Sequence, residues 1–357
     1  MSDRNKLLQE LTEASGLPGY EEEVREVLRR YLEPLAQIRQ DKLGSLLALK
    51  ESSQGRNGPK VMLAAHMDEI GFMVTSITEE GFVKFVPLGG WWEQVLLAQK
   101  VIIKSKDGDI PGVIGSKPPH ILTEEERKEI VKIKNMFIDI GASGEEEARR
   151  WVRPGDPVVP AVSFTPMKNQ RLLMAKAWDD RVGCGLIVDI FKNLHDMDHP
   201  NQVFGVGTVQ EEVGLRGATT SASAVAPDVA FALEVGIAGD VPGVKRHEAQ
   251  EKLGAGPSIL LYDASMVPNI KLRDFAIDTA EREGIPYQFD VMPRGGTDAG
   301  RIHIHSQGVP SLVVGVPTRY IHSHLGIIDR DDYDNAVRLM TAVVTRLNAE
   351  MVRSFTG

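Results

Sequence analysis

His66, the pair Asp179-Asp180, the pair Glu211-Glu212, Glu234 and His322 each fall at or just beyond the carboxyl end of a segment that reads as a β-strand. Val61–Ala65 precedes His66, and Arg171–Ala177 precedes the Asp pair. Val203–Val209 precedes the Glu pair, Val229–Leu233 precedes Glu234, and Ser311–Val316 runs just ahead of His322. Ligands of open α/β sheets gather outside those strand ends, and five such coincidences exceed what scattered core polar residues would give. In His66-Met67-Asp68 an extended backbone sets His66 and Asp68 on one face. There the Asp68 carboxylate is expected to accept the second ring N–H while the other ring nitrogen binds a metal. Two histidines and several carboxylates, with no cysteine pair, suit Zn²⁺, Co²⁺ or Mn²⁺. Two such ions about 3.5–4 Å apart need one bridging carboxylate and terminal ligands on each. His66, Glu234, one Asp of the pair, Glu212 and His322 suffice for that arrangement. Neighbouring side chains on extended backbone point apart, so one of Glu211 and Glu212 can ligate while the other moves a proton.

Other residues invite weaker readings. His195 and His199 have the i, i+4 spacing of a zinc-protease helix, but Asp196 replaces the required glutamate and Pro200 follows. They read as exposed cations near a helix C-terminus. His303 and His305 read as structural or pocket-lining, and His324 competes with His322 for the metal. His120, after Lys117-Pro118-Pro119, reads as a turn residue or as a group reaching a neighbour's active site in an oligomer. Gly295–Gly300 reads either as a turn with a helix cap or as a helix start aimed into a cleft, which makes Gly296, Thr297 and Asp298 candidate substrate contacts.

The elements that must position these groups are legible in outline. The chain has 357 residues, enough for two domains at a soft ~100–200 residues each. Val24, Val27, Leu28, Tyr31, Leu32 and Leu35 recur at helical spacing and predict an amphipathic helix over 21–35. From Gly71 to about Pro160, short β-rich runs (Phe72–Ile77, Phe82–Leu88, Lys100–Ser105, Val113–Ile114) alternate with turn pairs. The charged stretch Thr123–Lys134 reads as a solvated helix or loop. After Pro166, strands alternate with helices: helices over 181–194, 218–225, 270–283 and from Asp331, and a further strand over 287–292. The expected fold is a layered α/β domain with a central mixed sheet, interrupted after its His66 strand by an all-β insert. The boundaries are 1–70 plus 166–357 for the α/β domain and 71–165 for the insert.

Composition removes several classes. With 41 basic and 50 acidic side chains the net charge is −9, which argues against a phosphate-neutralising nucleic-acid binder. Cys184, the one cysteine, cannot form an intrachain disulfide. No run approaches the ~18 apolar residues of a membrane span, and Met1–Lys6 shows no secretory start. The expectation is a cytoplasmic protein with no nucleic-acid or membrane partner.

Ala65-His66-Met67-Asp68-Glu69-Ile70-Gly71, Trp178-Asp179-Asp180-Arg181-Val182-Gly183, Thr208–Gly217, Gly295-Gly296-Thr297-Asp298-Ala299-Gly300 and Arg319-Tyr320-Ile321-His322-Ser323 together resemble the tetrahedral aminopeptidases, a family that includes glutamyl aminopeptidases and proteins labelled cellulase M. The resemblance runs through essentially the whole chain in the same order. It implies a dinuclear metallo-aminopeptidase acting on short peptides, with a β-barrel insert used for dimerisation and a hollow twelve-subunit homo-oligomer. By motif position it puts the metal ligands on His66, Asp179 (bridging), Glu212, Glu234 and His322, the general base on Glu211, and Asp68 behind His66. Glu234 stands where several relatives carry Asp. The implied mechanism uses a metal-bridging water as nucleophile. A carboxypeptidase or deacylase differs from this only in substrate. An endoglucanase-type glycosidase needs two free carboxyls ~5–9.5 Å apart and a sugar-stacking surface, for which 6% aromatic residues and one Trp91-Trp92 pair are a poor basis. A non-catalytic assembly protein with an inherited site is the remaining alternative.

Overall fold

The computed structural model describes residues 5–53, 55 and 58–356; residues 1–4, part of the hexapeptide read for a secretory start, lie outside the described residues. Helices α1 (Lys6–Glu13) and α2 (Glu22–Leu32) precede the hairpin β1 (Gln37–Gln40) and β2 (Leu46–Lys50), then strand β3 (Lys60–His66). Next come β4 (Gly71–Ile77), β5 (Val83–Leu88), β6 (Lys100–Ser105), β7 (Gly108–Gly115), β8 (Phe137–Asp139), α3 (Glu145–Trp151) and β9 (Pro157–Pro160). Strands β10 (Thr165–Pro166) and β11 (Leu172–Ala175) lead into α4 (Trp178–His195), β12 (Gln202–Thr208), α5 (Arg216–Val225), β13 (Val229–Ile237) and β14 (Ser258–Asp263). The chain ends with α6 (Ile270–Arg282), β15 (Gln288–Met292), α7 (Ala299–Ile302), β16 (Ser311–Arg319), β17 (Gly326–Asp329), α8 (Arg330–Arg346) and α9 (Ala349–Ser354).

Strands β4 to β9 close on themselves in the order β4-β5-β8-β7-β6-β9, an antiparallel barrel around Phe72, Val74, Phe85, Ile103, Ile138 and Val158. The other strands form one mixed sheet, β1-β2-β12-β3-β13-β16-β17-β11-β10, with β14 and β15 beside β16. Its centre is parallel: β12, β3, β13 and β16 run the same way. Helices cover both faces of that centre, so its strands are apolar throughout instead of alternating. In β3, Val61, Leu63 and Ala65 enter the larger core with α1, α2, α4 and α8, whereas Met62 and Ala64 enter the opposite one with Ala218 and Ala222 of α5. The fold is thus the layered α/β sheet interrupted by a barrel that the sequence predicts. Among the described residues no helix is long and apolar enough to cross a membrane.

Several elements differ in extent from the sequence reading. The helix expected over 21–35 stops at Leu32, because Pro34 lacks the N–H that another turn would use. Strand β13 continues past Glu234 to Ile237, since its pairing with β16 runs on to Ile237–Thr318; Glu234 therefore lies inside the strand. Thr123–Lys134 is a largely exposed loop holding only the three-residue turns Glu126–Lys128 and Ile133–Asn135.

Helix α4 lies close against β13 because of Gly183. A Cβ added there would stand 2.1 Å from the Leu233 carbonyl oxygen, which nothing rigid can accommodate. Replacing Gly183 by Ala should destabilise the fold by about 2–3 kcal/mol, read as a lowered urea midpoint or melting temperature relative to wild type.

Candidate metal centre

The parallel strands deliver their carboxyl ends to one place. His66 is the last residue of β3, Glu234 lies in β13, the Glu211-Glu212 pair follows β12, and His322 follows β16. Asp179 comes from the start of α4, which the antiparallel strand β11 leads into; the Asp179-Asp180 peptide bond is cis. His66, Glu211 and Glu234 offer ligand atoms within 4.8 Å of one another, and so do His66, Asp179 and Glu212.

Asp179 is central. Its Oδ1 lies 2.9 Å from His66 Nε2 and its Oδ2 lies 3.4 Å from His322 Nε2. Glu234 Oε2 stands 4.0 Å from His66 Nε2, and Glu212 Oε1 stands 4.0 Å from His322 Nε2. Asp180 faces elsewhere: its oxygens accept the backbone N–H groups of His66 (3.1 Å) and Gly183 (3.0 Å). The two acids of the pair thus divide between cluster and backbone.

Each imidazole is oriented by a carbonyl. His66 Nδ1 donates to the Asp68 backbone oxygen at 3.0 Å, and His322 Nδ1 donates to the Gly90 backbone oxygen at 2.7 Å. Both Nε2 atoms then face the carboxylates, the tautomer a metal ligand needs. The sequence reading gave the orienting task to the Asp68 side chain; its carboxylate is 3.7 Å from His66 Nδ1 and does something else. Its two oxygens accept the backbone N–H groups of Glu211 and Glu212, each at 3.0 Å. Asp68 holds the Glu-Glu turn, and its own carbonyl holds His66.

The electrostatics are those of crowded negative charge. Burial pushes the carboxyls of Glu211, Glu234 and Asp180 well above the usual range, and neighbouring carboxylates add to it. Glu212 is pushed up to about 8, by burial first and then by Asp179. Burial works against charge on the imidazoles too, but Glu211, Asp179 and Glu234 outweigh it at His66, which sits well above its ordinary value. At His322 Asp179 outweighs burial and the value is about 9. Asp179 itself is held well below the carboxylate range, because its bonds to both histidines overcome burial. Glu234 Oε1 is buried without a hydrogen-bond partner among the described residues. Buried acceptors in excess, two properly turned imidazoles and no thiolate are a donor set that suits borderline divalent cations.

Of the remaining predicted residues, Asp298 lies beside this cluster: it is buried, adds to the negative charge felt by Glu211 and Glu234, and accepts from the Thr208 hydroxyl with one carboxylate oxygen while the other lacks a hydrogen-bond partner among the described residues. Thr297 is buried and donates to Asp263 at 3.4 Å. Gly296 is exposed just ahead of them. Helix α7 is a single turn, too short to present the row of N–H groups expected from Gly295–Gly300. His120 is exposed in the turn Pro119–Ile121, held on the barrel by the β7–β8 connection and not among the residues gathered at His66. His199, expected to be an exposed cation, is buried, with Nδ1 bonded to the Asn201 carbonyl at 2.9 Å and its pKa lowered by burial.

Sequence reasoning missed the supports. Glu69 accepts from Lys176 Nζ (2.6 Å) and Arg181 Nη2 (3.2 Å), and Arg181 also donates to the carbonyls of Met67 and Leu11. This buried triad ties the turn after His66 to the start of α4. Glu21 braces the same region by accepting from Gly19 and Gln210 backbone N–H groups; burial raises it to about 7. Gly90 is the barrel's contribution, and a Cβ there would stand 3.1 Å from His322 Nδ1. Glu69 and Arg181 lie inside the quoted motifs, so spacing flagged them without a role. Nothing local marks Glu21 or Gly90.

A profile described as M42 glutamyl aminopeptidase matches residues 44–339, and a second, AMPT, matches residues 3–28. The chain belongs to the M42 glutamyl aminopeptidase family. It is a metallo-aminopeptidase, a hydrolase of peptide bonds in a family that uses divalent metal. Among its relatives, putative aminopeptidase FrvX of Escherichia coli is 42% identical over 98% of this chain and 97% of its own. Glutamyl aminopeptidase of Lactococcus lactis is 36% identical (96% and 96% covered), and lysyl aminopeptidase of Pyrococcus furiosus is 35% identical (96% and 97%). Among solved structures, a TET aminopeptidase from Thaumarchaeota archaeon SCGC AB-539-E09 superposes with a TM-score of 0.96 at 48% identity, covering 99% of this chain and 98% of that one. Pyrococcus horikoshii TET1 peptidase, described as assembling into a tetrahedron or a large octahedral shell, gives 0.86 at 32% identity, covering 97% and 100%.

In this peptidase the Asp68 carboxylate meets two N–H donors. Asp68→Asn would turn an NH₂ toward one of them, donor against donor. The variant should bind metal about 10–100-fold more weakly, measured by titrating Zn²⁺ into chelator-stripped protein by calorimetry.

Proposed function

We propose that this chain is a two-metal aminopeptidase that removes N-terminal residues from short peptides. In this reading His66, Asp179, Glu212, Glu234 and His322 hold two divalent cations, Zn²⁺ or Co²⁺ first and Mn²⁺ next, with Asp179 shared between them. The observation that carries the reading is that the two oxygens of Asp179 face different histidines, each flanked by a further carboxylate. When bound, such a pair of cations would polarise the scissile carbonyl and make a water more acidic.

The protein's own groups do the rest. Glu211 takes a proton from the attacking water and passes it to the leaving amine. A Glu211 carboxylate oxygen lies within 4.8 Å of ligand atoms of His66 and Glu234, within reach of a water held there. Asp68 fixes where that carboxylate stands by holding its backbone N–H. A carboxypeptidase would need a free cation here, and the nearby Lys176 and Arg181 are both committed to Glu69.

The same reading takes residues 1–70 plus 166–357 as the catalytic domain and 71–165 as a dimerisation domain. Its dimers build a homo-oligomer of twelve subunits, a proposal supported by the TET1 relative's closed assemblies. A mass near twelve chains by light scattering is the expected result; a monomer would count against it.

The nitroanilides of Leu, Glu and Lys, assayed with Zn²⁺, Co²⁺ and Mn²⁺ after chelation, test the activity. Glu and Lys both belong in the panel because relatives of nearly equal identity are named for opposite charges. Release with at least one cation, and none in chelator, is expected; silence throughout overturns the reading. Glu211→Gln should keep its metal while kcat falls by about 10²–10⁴, whereas His66→Ala should lose metal, as judged by elemental analysis.

A further inference from the structure

Of the five proposed ligands, His322 is the open one. Its side chain is 42% exposed, against 17% for Asp179 and 6% or less for His66, Glu212 and Glu234. A peptide with its amine among the carboxylates must therefore run out past His322. A groove of about 680 Å³ begins there, between the Gly90–Val95 loop of the barrel and the Tyr320–Leu325 loop after β16. It shares His322 and Tyr320 with the lining of the candidate site itself.

The groove is built for an uncharged side chain. Trp92 and Tyr320 are 59% and 52% exposed, large apolar surfaces left in water. Trp91 beneath them is fixed: its Nε1 donates to the Gly71 carbonyl at 3.0 Å and its ring stacks on Phe72 with centroids 4.8 Å apart. Among the described residues no Asp, Glu, Lys or Arg lines the groove. His324 lies in its wall, 3% exposed, its ring 5.2 Å from that of Trp91. Both His324 ring nitrogens lack a hydrogen-bond partner among the described residues.

We propose that this groove binds the leaving part of the substrate and selects an apolar or aromatic side chain in the first residue after the scissile bond. The inference rests on the aminopeptidase reading and adds to it a second determinant of specificity, supplied jointly by the barrel and the sheet.

The test compares three substrates that share the N-terminal residue favoured in the nitroanilide panel: its amide, which ends at the scissile bond, and tripeptides continuing with Phe-Gly or Asp-Gly. For the metal-loaded wild type, kcat/KM should be about tenfold higher for the Phe than for the Asp peptide. Trp92→Ala should lower kcat/KM for the Phe peptide about five- to tenfold relative to the amide, and Trp92→Phe should restore most of it. Trp92 is exposed, so its truncation leaves the core intact. An unchanged Phe-peptide-to-amide ratio in Trp92→Ala overturns the proposal. So does a changed assembly mass by light scattering with the ratio unchanged, which would place a second copy of the chain on the groove. Failure of every substrate with every cation strikes the aminopeptidase reading instead, and the proposal falls with it.

Discussion

Asp179 sits where two imidazoles would otherwise have no common partner, and the arrangement of the site follows from its two oxygens pointing in different directions. Around it Glu211, Glu212, Glu234 and Asp180 crowd together out of solvent, where ionising several carboxylates together is costly. Two histidines offset part of that charge. The rest is what makes the cluster a receptor for divalent cations. A hydrophobic replacement would relieve the repulsion, so the acids are a burden on folding retained for what they bind.

That burden explains the density of supports behind the cluster. Asp68 uses both carboxylate oxygens on the backbone of the Glu211-Glu212 turn, and Asp180 uses both of its own on the backbone of His66 and Gly183. Glu69 pairs with both Lys176 and Arg181, and the same group of bonds fastens two loops. Each support acts on main chain, so side chains that face the cluster are left free to bind. Carboxylates placed this way fix geometry without competing for the ligand.

The sequence made the cluster legible in outline because residues at or just beyond the strand ends of an α/β sheet converge. His66, Glu234, the Asp and Glu pairs and His322 were flagged on that ground, whereas the choice of Asp179 and Glu212 within their pairs came from the family's motifs. The continuous apolar runs of β3, β12 and β16 marked the buried sheet. What was not legible depends on contacts between distant segments. Asp68 appeared from spacing to orient the His66 ring, because a two-residue offset puts both side chains on one face. The chain turns after His66 instead, so the backbone carbonyl takes that task. Asp298 was marked by its glycine-rich surroundings; the Thr208 hydroxyl holds one of its oxygens, and its charge is felt at Glu211 and Glu234. The weakly patterned hairpin β1–β2 escaped notice because Gln37–Gln40 carries no apolar alternation and lies at the sheet's edge.

Gly90 shows why the barrel belongs in any account of the chemistry. His322 sits on a loop, in left-handed backbone (φ 55°), not on a strand, so the sheet alone does not fix its ring. The carbonyl that does so comes from the barrel, 232 residues away in sequence. Gly89 follows the same logic: a Cβ there would lie 2.4 Å from Ile70 Cγ2 and 3.1 Å from Glu212 Oε2. The barrel therefore reaches the cluster by bare backbone at the one ligand that is open to solvent. The barrel thus aims His322, whereas the sheet holds His66 and Glu234 directly.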